Sequence, residues 1–292
     1  MNLLSYLQDL TRTVKEAVME SLSDERWRDV VKRKATDTAW RVDHIAERKA
    51  MEFMASRSVP ARLVSEEAGV VDIGGEPEIT VILDPLDGSL NFTRSIPFCS
   101  VSAAAGPYKP GFSLNDLQAG VVESLFSHEV FHAEKGGGAY KNNRRLTVGS
   151  STPSPGKPLV SLYIHGVKGL RYPYGRLIDS VKVRALGSVA LELCYIATSS
   201  LDAVLDLRGT LRVVDVAAGK IVLEEAGGVV KTLGEGVKPP LDAEKGFSMI
   251  AARDEALARK LWSLITPRGE SVNNPFPAVR TMHGSVKLPR DS

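Results

Sequence analysis

Apolar residues recur at helical spacing along the first 22 positions. Leu3, Leu7, Leu10, Val14, Ala17 and Val18 fall on one face with polar and charged residues between them, which predicts an amphipathic helix over residues 1–22. A second helix is predicted over about 40–57. The period then changes. "ITVILD" (79–84) is a short continuous apolar run that reads as a strand, and "FCSVSAAA" (98–105) is another. "LQAGVVESLF" and "EVFHAEKG" flank Ser127-His128 as the arms of a β-hairpin. Turn chemistry follows at Gly136–Gly138 and Asn142-Asn143.

The Ser/Pro/Gly-rich stretch "SSTPSPGKP" (150–158) is the best linker candidate. It divides an N-terminal α+β part (1–150) from a C-terminal α/β part (151–266). In the second part the strands "LVSLYI", "LDAVLDL" and "SMIAAR" alternate with the helices "SVALELCYIATSS", "DVAAGKIVLEEAGG" and residues 254–265. The tail 267–292 is rich in Pro, Gly, Asn and Arg and is expected to be irregular. No internal repeat is present.

Composition narrows the class. The 292 residues are 43% hydrophobic and 25% charged, with a formal net charge of +2, as in an ordinary soluble globular protein. Nothing calls for nucleic acid or an anionic membrane as partner. No run approaches the ~18 apolar residues of a membrane-spanning helix, and charges interrupt the first 22 residues too early for a signal peptide. The clusters Lys32-Arg33-Lys34 and Arg144-Arg145 are short and read as solvated surface. Cys99 and Cys194 lie in apolar runs and are expected as buried free thiols, which fits a cytoplasmic protein. His128, His132 and His165 lack the Cys/His spacing of a zinc site.

The chemistry concentrates in "VILDPLDGSLNF" (81–92). A hydrophobic strand ends in Asp84, a proline turn brings a second carboxylate at Asp87, and Gly88-Ser89 opens a predicted helix. Two carboxylates with the Leu86 carbonyl between them suit a hard divalent cation such as Mg²⁺. The free N–H groups at the helix start would attract a phosphate. Alone, "DPLDG" is also a common turn. Other acids add weight: Glu66 and Glu67 in "VSEEAG", Asp215 at the start of "DVAAGK", and Asp43 with Glu47 one helical turn apart. Taken singly, these would be loop acids, a helix cap and a surface pair.

Together, "SEEAG", "LDPLDGSLNF" and "VVDVAAGKIVLEEAGG", in that order along the chain, resemble the signature regions of the inositol monophosphatase family. The resemblance runs from the first helix to about residue 265. It implies a layered α/β/α/β/α sugar-phosphatase fold of the α+β class, usually homodimeric, that hydrolyses small phosphate monoesters with two or three Mg²⁺ ions per subunit. By position, Glu66, Asp84, Asp87, Asp215 and the Leu86 carbonyl resemble the metal ligands. Asp87, Gly88 and Ser89 resemble the phosphate-contacting turn. Asp43 and Ser89 resemble the pair that orients the attacking water, with Glu66 on the water side.

Arg184, Val189 and Arg208 are carried as substrate-binding candidates. In archaeal members that act on both inositol phosphate and fructose 1,6-bisphosphate, arginines at matching motif positions hold substrate. The bland alternative pairs these arginines with Asp206 or Glu192. The sequence departs from the family at Ser65 (usually Gly), Ser89 (usually Thr), Val214 (usually Trp) and "WRVD" around Asp43. Other readings to separate are a 3′-phosphoadenosine 5′-phosphate phosphatase and a catalytically silent sugar-phosphate sensor.

Overall fold

The computed structural model describes residues 1–33, 38–149, 156–164, 174–233 and 246–266. Lys34, most of the linker stretch, His165, the segment 166–173 and the tail 267–292 lie outside the described residues. The helices are α1 (Leu3–Ser21), α2 (Arg41–Ser56), α3 (Ser89–Thr93), α4 (Tyr174–Ser180), α5 (Val189–Ala197), α6 (Val213–Glu225) and α7 (Glu255–Ile265). A short ribbon pairs β1 (Val30–Arg33) with β2 (Thr38–Trp40).

Two sheets carry the rest. The larger contains β3 (Ala61–Ser65), β4 (Gly69–Ile73), β5 (Ile79–Asp87), β6 (Ser100–Pro107), β7 (Ala119–Ser124), β8 (Val130–Glu134), β9 (Gly138–Lys141) and β10 (Arg144–Leu146). Its spatial order is β10-β9-β8-β7-β6-β5-β3-β4. The smaller contains β11 (Leu159–Tyr163), β12 (Lys182–Arg184), β13 (Ala203–Leu211), β14 (Val229–Leu233) and β15 (Phe247–Ala252), in the order β12-β11-β13-β15-β14. The predicted hairpin is β7–β8.

The layers follow from which faces are apolar. Helices α1 and α2 cover one face of the large sheet, where Leu7, Leu10, Val14, Val42 and Phe53 meet Leu63, Val81 and Val121. Helices α5 and α6 lie between the two sheets, and α7 packs with α4 on the far face of the small sheet. The result is the α/β/α/β/α stack. A helix in the central layer has no solvent face, so α6 is apolar nearly all round. Val213, Val214, Val216, Ile221, Val222 and Leu223 are all buried, each worth about 1.5–3 kcal/mol. Gly219 lets α5 and α6 approach closely, since a Cβ there would stand 2.8 Å from the Leu193 side chain. Asp206, Glu192, Cys99 and Cys194 are also buried, and both cysteines are free thiols.

Three features differ from the sequence reading. First, β5 does not end at Asp84. It runs to Asp87, buried throughout, with a bulge against β6 between Asp84 and Asp87. Pro85 sits in that bulge, where its missing N–H breaks no ladder bond. Second, α3 is a single turn. Third, β3, β4 and β14 are strands that apolar periodicity alone does not separate from their surroundings: burial along β3 and β14 does not alternate, and β4 alternates only between half-buried and exposed positions.

Candidate active site

β3 and β5 run parallel, and their last matched pair is Ser65 with Leu83. One step further along each strand come Glu66 and Asp84, at the same edge of the sheet. Asp84 is 3% exposed, and its Oδ1 accepts the Leu86 N–H at 3.0 Å. The bulge supplies the extra residue that takes the chain from Asp84 to Asp87: three steps on β5 oppose two on β6, from Ser102 to Ser100. Gly88 follows with φ 93° and ψ 38°, the left-handed region. A Cβ at Gly88 would also lie 3.0 Å from the Gly187 carbonyl oxygen, so the position excludes a side chain on two counts. Ser89 begins α3, whose first N–H groups have no partner within the helix.

The other half of the site comes from the turn before α5 and from the start of α6. Asp87 Oδ2 accepts the Ser188 hydroxyl at 2.5 Å and the Ala190 N–H at 2.8 Å, with the Ser100 hydroxyl at 3.5 Å. Asn91 ties the same turn down by donating to the carbonyls of Leu186 and Phe98. Asp215 is the third helical residue of α6, and its Oδ2 accepts the Arg212 backbone N–H at 2.7 Å. Asp43 caps α2 in the same way, accepting the Trp40 N–H at 2.7 Å. The helix-cap role of both acids is therefore real, and it fixes where each carboxylate stands. Glu47 is not a surface acid. It is buried and accepts the N–H groups of Glu67 and Ala68, both at 3.2 Å, which secures the loop that carries Glu66.

The electrostatics of this group are one-sided. Burial pushes the Asp84 carboxyl well above its usual range, and the charges of Asp87, Glu66 and Asp215 push it further, with Arg212 opposing. Burial also lifts Asp87, to about 7, against the stabilising Ser188 hydroxyl. Four carboxylates from three chain segments thus lie within electrostatic reach of one another in a desolvated pocket. Such a donor set fits hard divalent cations. Among the described residues, no three His, Cys, Asp or Glu side chains close into a ready-made ligand cage. The Arg212 guanidinium stands between two of the acids, 2.5 Å from Glu66 Oε1 and 2.9 Å from Asp215 Oδ1.

The chain has known relatives. Residues 2–266 match the inositol monophosphatase family. The chain belongs to that family. It is 35% identical over 265 residues to a Methanothermobacter thermautotrophicus protein named fructose-1,6-bisphosphatase/inositol-1-monophosphatase, covering 86% of this chain and 92% of the relative. It is 31% identical to a Methanococcus maripaludis bifunctional NADP phosphatase/NAD kinase, covering 89% of this chain but 49% of that protein. Among solved structures, a Pyrococcus horikoshii protein described as having similarities for inositol-1 monophosphatase superposes with a TM-score of 0.74 at 32% identity, covering 89% of this chain and 96% of that one.

Against the family pattern, the three substrate candidates part company. Arg184 ends β12 and is exposed, its guanidinium donating to the Val183 carbonyl. Val189 is a buried first residue of α5 in the core between the sheets. Arg208 turns back on its own strand. It grips the wholly buried Asp206 through Nε and the terminal nitrogen, the latter at 2.6 Å, and lies 4.9 Å from the centre of the Tyr163 ring. The bland alternative for Arg208 is therefore observed. Glu192 pairs with neither arginine. It accepts the Ser161 hydroxyl and the Leu186 N–H, both at 2.8 Å, and burial lifts its carboxyl to about 7.

Sequence reasoning missed Ser188 and Arg212, and it read Glu192 only as a possible arginine partner, where it instead accepts from Ser161 and Leu186. Ser188 looks like an ordinary N-cap of α5, yet its hydroxyl makes no capping bond and goes to Asp87 instead. The one available signal for Arg212 was an arginine three residues before an acid that begins a helix.

Proposed function

We propose that this family member hydrolyses small phosphate monoesters, with inositol 1-phosphate and fructose 1,6-bisphosphate as favoured substrates, using a water activated at the Asp84–Asp87 site. The observation that carries the reading is the buried end of β5, where Asp84 and Asp87 share a desolvated space with Glu66 and Asp215. Four acids against the single guanidinium of Arg212 have a use if cations complete the site. Two or three Mg²⁺ ions held by Glu66, Asp84, Asp87, Asp215 and the Leu86 carbonyl would neutralise phosphate charge and lower the pKa of the attacking water.

The chain's own groups do the rest. The N–H groups at Gly88 and Ser89 receive phosphate oxygens. The Ser89 hydroxyl, with Asp43, orients the water for in-line attack. Glu66 lies on the side from which the water comes. Asp87 keeps its position because Ser188 and Ala190 hold its Oδ2. Arg184, exposed at the end of its strand, is the cation we assign to a second phosphate. We place the protein in the cytoplasm as a homodimer, and treat residues 1–150 and 151–266 as its two parts. No described helix is long and apolar enough to cross a membrane.

The relative with NADP phosphatase in its name adds a nucleotide monoester as a second substrate class. A phosphate-release panel decides between them: inositol 1-phosphate, fructose 1,6-bisphosphate, 3′-phosphoadenosine 5′-phosphate and NADP, each with Mg²⁺. Release from the first two supports the reading. Release from the nucleotides alone reassigns the substrate, and release from none leaves a sensor.

A further inference from the structure

Glu66 and Asp215 are far apart in the sequence, and Arg212, 146 positions from Glu66, is bonded to both. Glu66 follows β3 in the large sheet, and Asp215 belongs to the central helix α6. Two carboxylates brought to one place repel each other unless a cation lies between them. A single residue bridges them. Arg212 donates from one terminal nitrogen to Glu66 Oε1 at 2.5 Å and from the other to Asp215 Oδ1 at 2.9 Å. Its Nε reaches Asp215 Oδ2 at 3.3 Å, and its backbone N–H reaches the same oxygen at 2.7 Å.

We propose that Arg212 is a positioning residue that presents Glu66 and Asp215 to the metal ions as a preassembled pair. The proposal rests on the metal-dependent reading above. Each carboxylate has two oxygens and about four acceptor directions, so Arg212 can stay bonded while another lone pair of each acid turns to a cation. Ligating carboxylates are commonly held by such outer hydrogen bonds. The alternative is a placeholder that leaves when metal arrives. The double hold on Asp215 favours the positioning role, because the residue that caps α6 through its backbone also grips the capped acid through its side chain. Lysine would not substitute, since a point charge cannot span two carboxylates as the planar fork does.

The test needs no turnover. The full chain is stripped of metal and titrated with Mn²⁺, the free ion being read by electron paramagnetic resonance. Arg212→Gln is expected to weaken Mn²⁺ binding about 10- to 100-fold. Arg212→Lys, which keeps the charge and loses the fork, should fall between Arg212→Gln and wild type, and it carries the test if the glutamine variant does not fold. In the metal-free protein, Arg212→Gln and Glu66→Gln should be non-additive in thermal unfolding, because they remove the same bond. Unchanged Mn²⁺ affinity would reduce Arg212 to an ordinary ion pair. Tighter binding would make it a placeholder. Either result overturns the proposal while the metal reading stands, whereas a wild-type protein that binds no Mn²⁺ overturns both.

Discussion

Replacing Arg208 with alanine should act on stability before it acts on substrate. Asp206 is 0% exposed, on the central strand β13 of the small sheet. Its carboxylate accepts Nε of Arg208 at 3.0 and 3.1 Å, the terminal nitrogen at 2.6 Å, and the Arg208 backbone N–H at 3.1 Å. Arg208→Ala removes the guanidinium and leaves the buried charge with that backbone N–H. Removing one partner of a buried pair costs about 3–5 kcal/mol. The retained N–H and the partial exposure of Arg208, 20% for its side chain, move the expectation to roughly 2–4 kcal/mol. For a chain of this size that lowers Tm by roughly 5–15 °C. Thermal unfolding followed by circular dichroism at neutral pH measures it. The double variant Asp206→Asn/Arg208→Ala removes the orphaned charge and should recover at least half of the loss. A single variant melting within about 2 °C of wild type would refute the reasoning, because the pair would then contribute nothing.

Three further outcomes follow from the same geometry. Arg184→Ala should lower kcat/KM on fructose 1,6-bisphosphate roughly ten- to a hundredfold and affect inositol 1-phosphate less; equal losses in a steady-state comparison would move Arg184 into the common part of the site. Ser89→Ala and Asp43→Asn should lower kcat far more than they raise KM, and a change confined to KM would make them phosphate-binding groups. Glu192 gives a pH signature: its carboxyl is raised from 4.5 to about 7, so the folded protein holds that proton more tightly than the unfolded chain. Its contribution is intact below pH 4.5 and is lost as pH rises toward 7, about 3 kcal/mol in all. Glu192→Gln should therefore gain stability relative to wild type across that window, and a constant difference in Tm from pH 4.5 to 7 would contradict the assignment.

Much of the fold was legible because its central elements are extreme. The run "ITVILD" has both faces covered, and α6 is apolar nearly all round because it lies between two sheets. Two buried layers leave a strong imprint on composition. The bulge at Asp84–Asp87 was not legible, since it exists only in the register of β5 against β6. The acids of the candidate site were legible from their motifs, but their neighbours were not. Ser188 and Arg212 act on carboxylates 101 and 146 residues away. Nothing local distinguishes Ser188 from a cap, and the spacing of Arg212 to Asp215 shows nothing of its bond to Glu66. Arg208 is the converse case. Its partner Asp206 is two residues away on the same strand, and only the burial of that acid shows how firmly the arginine is held.

The central claim is that the buried carboxylates at the end of β5 perform metal-dependent phosphate release. Asp87→Asn tests it most directly. The substitution removes ligand charge, while an amide of the same shape leaves the packing around Ser188 and Ala190 in place. Inorganic phosphate released from inositol 1-phosphate would be measured for wild type and variant across a Mg²⁺ titration, with a chelator as the zero point and circular dichroism as the check on folding. The account predicts Mg²⁺-dependent release by wild type, none with the chelator, and none by a folded Asp87→Asn at any Mg²⁺ concentration. Near-normal turnover by the variant at saturating Mg²⁺ would contradict it.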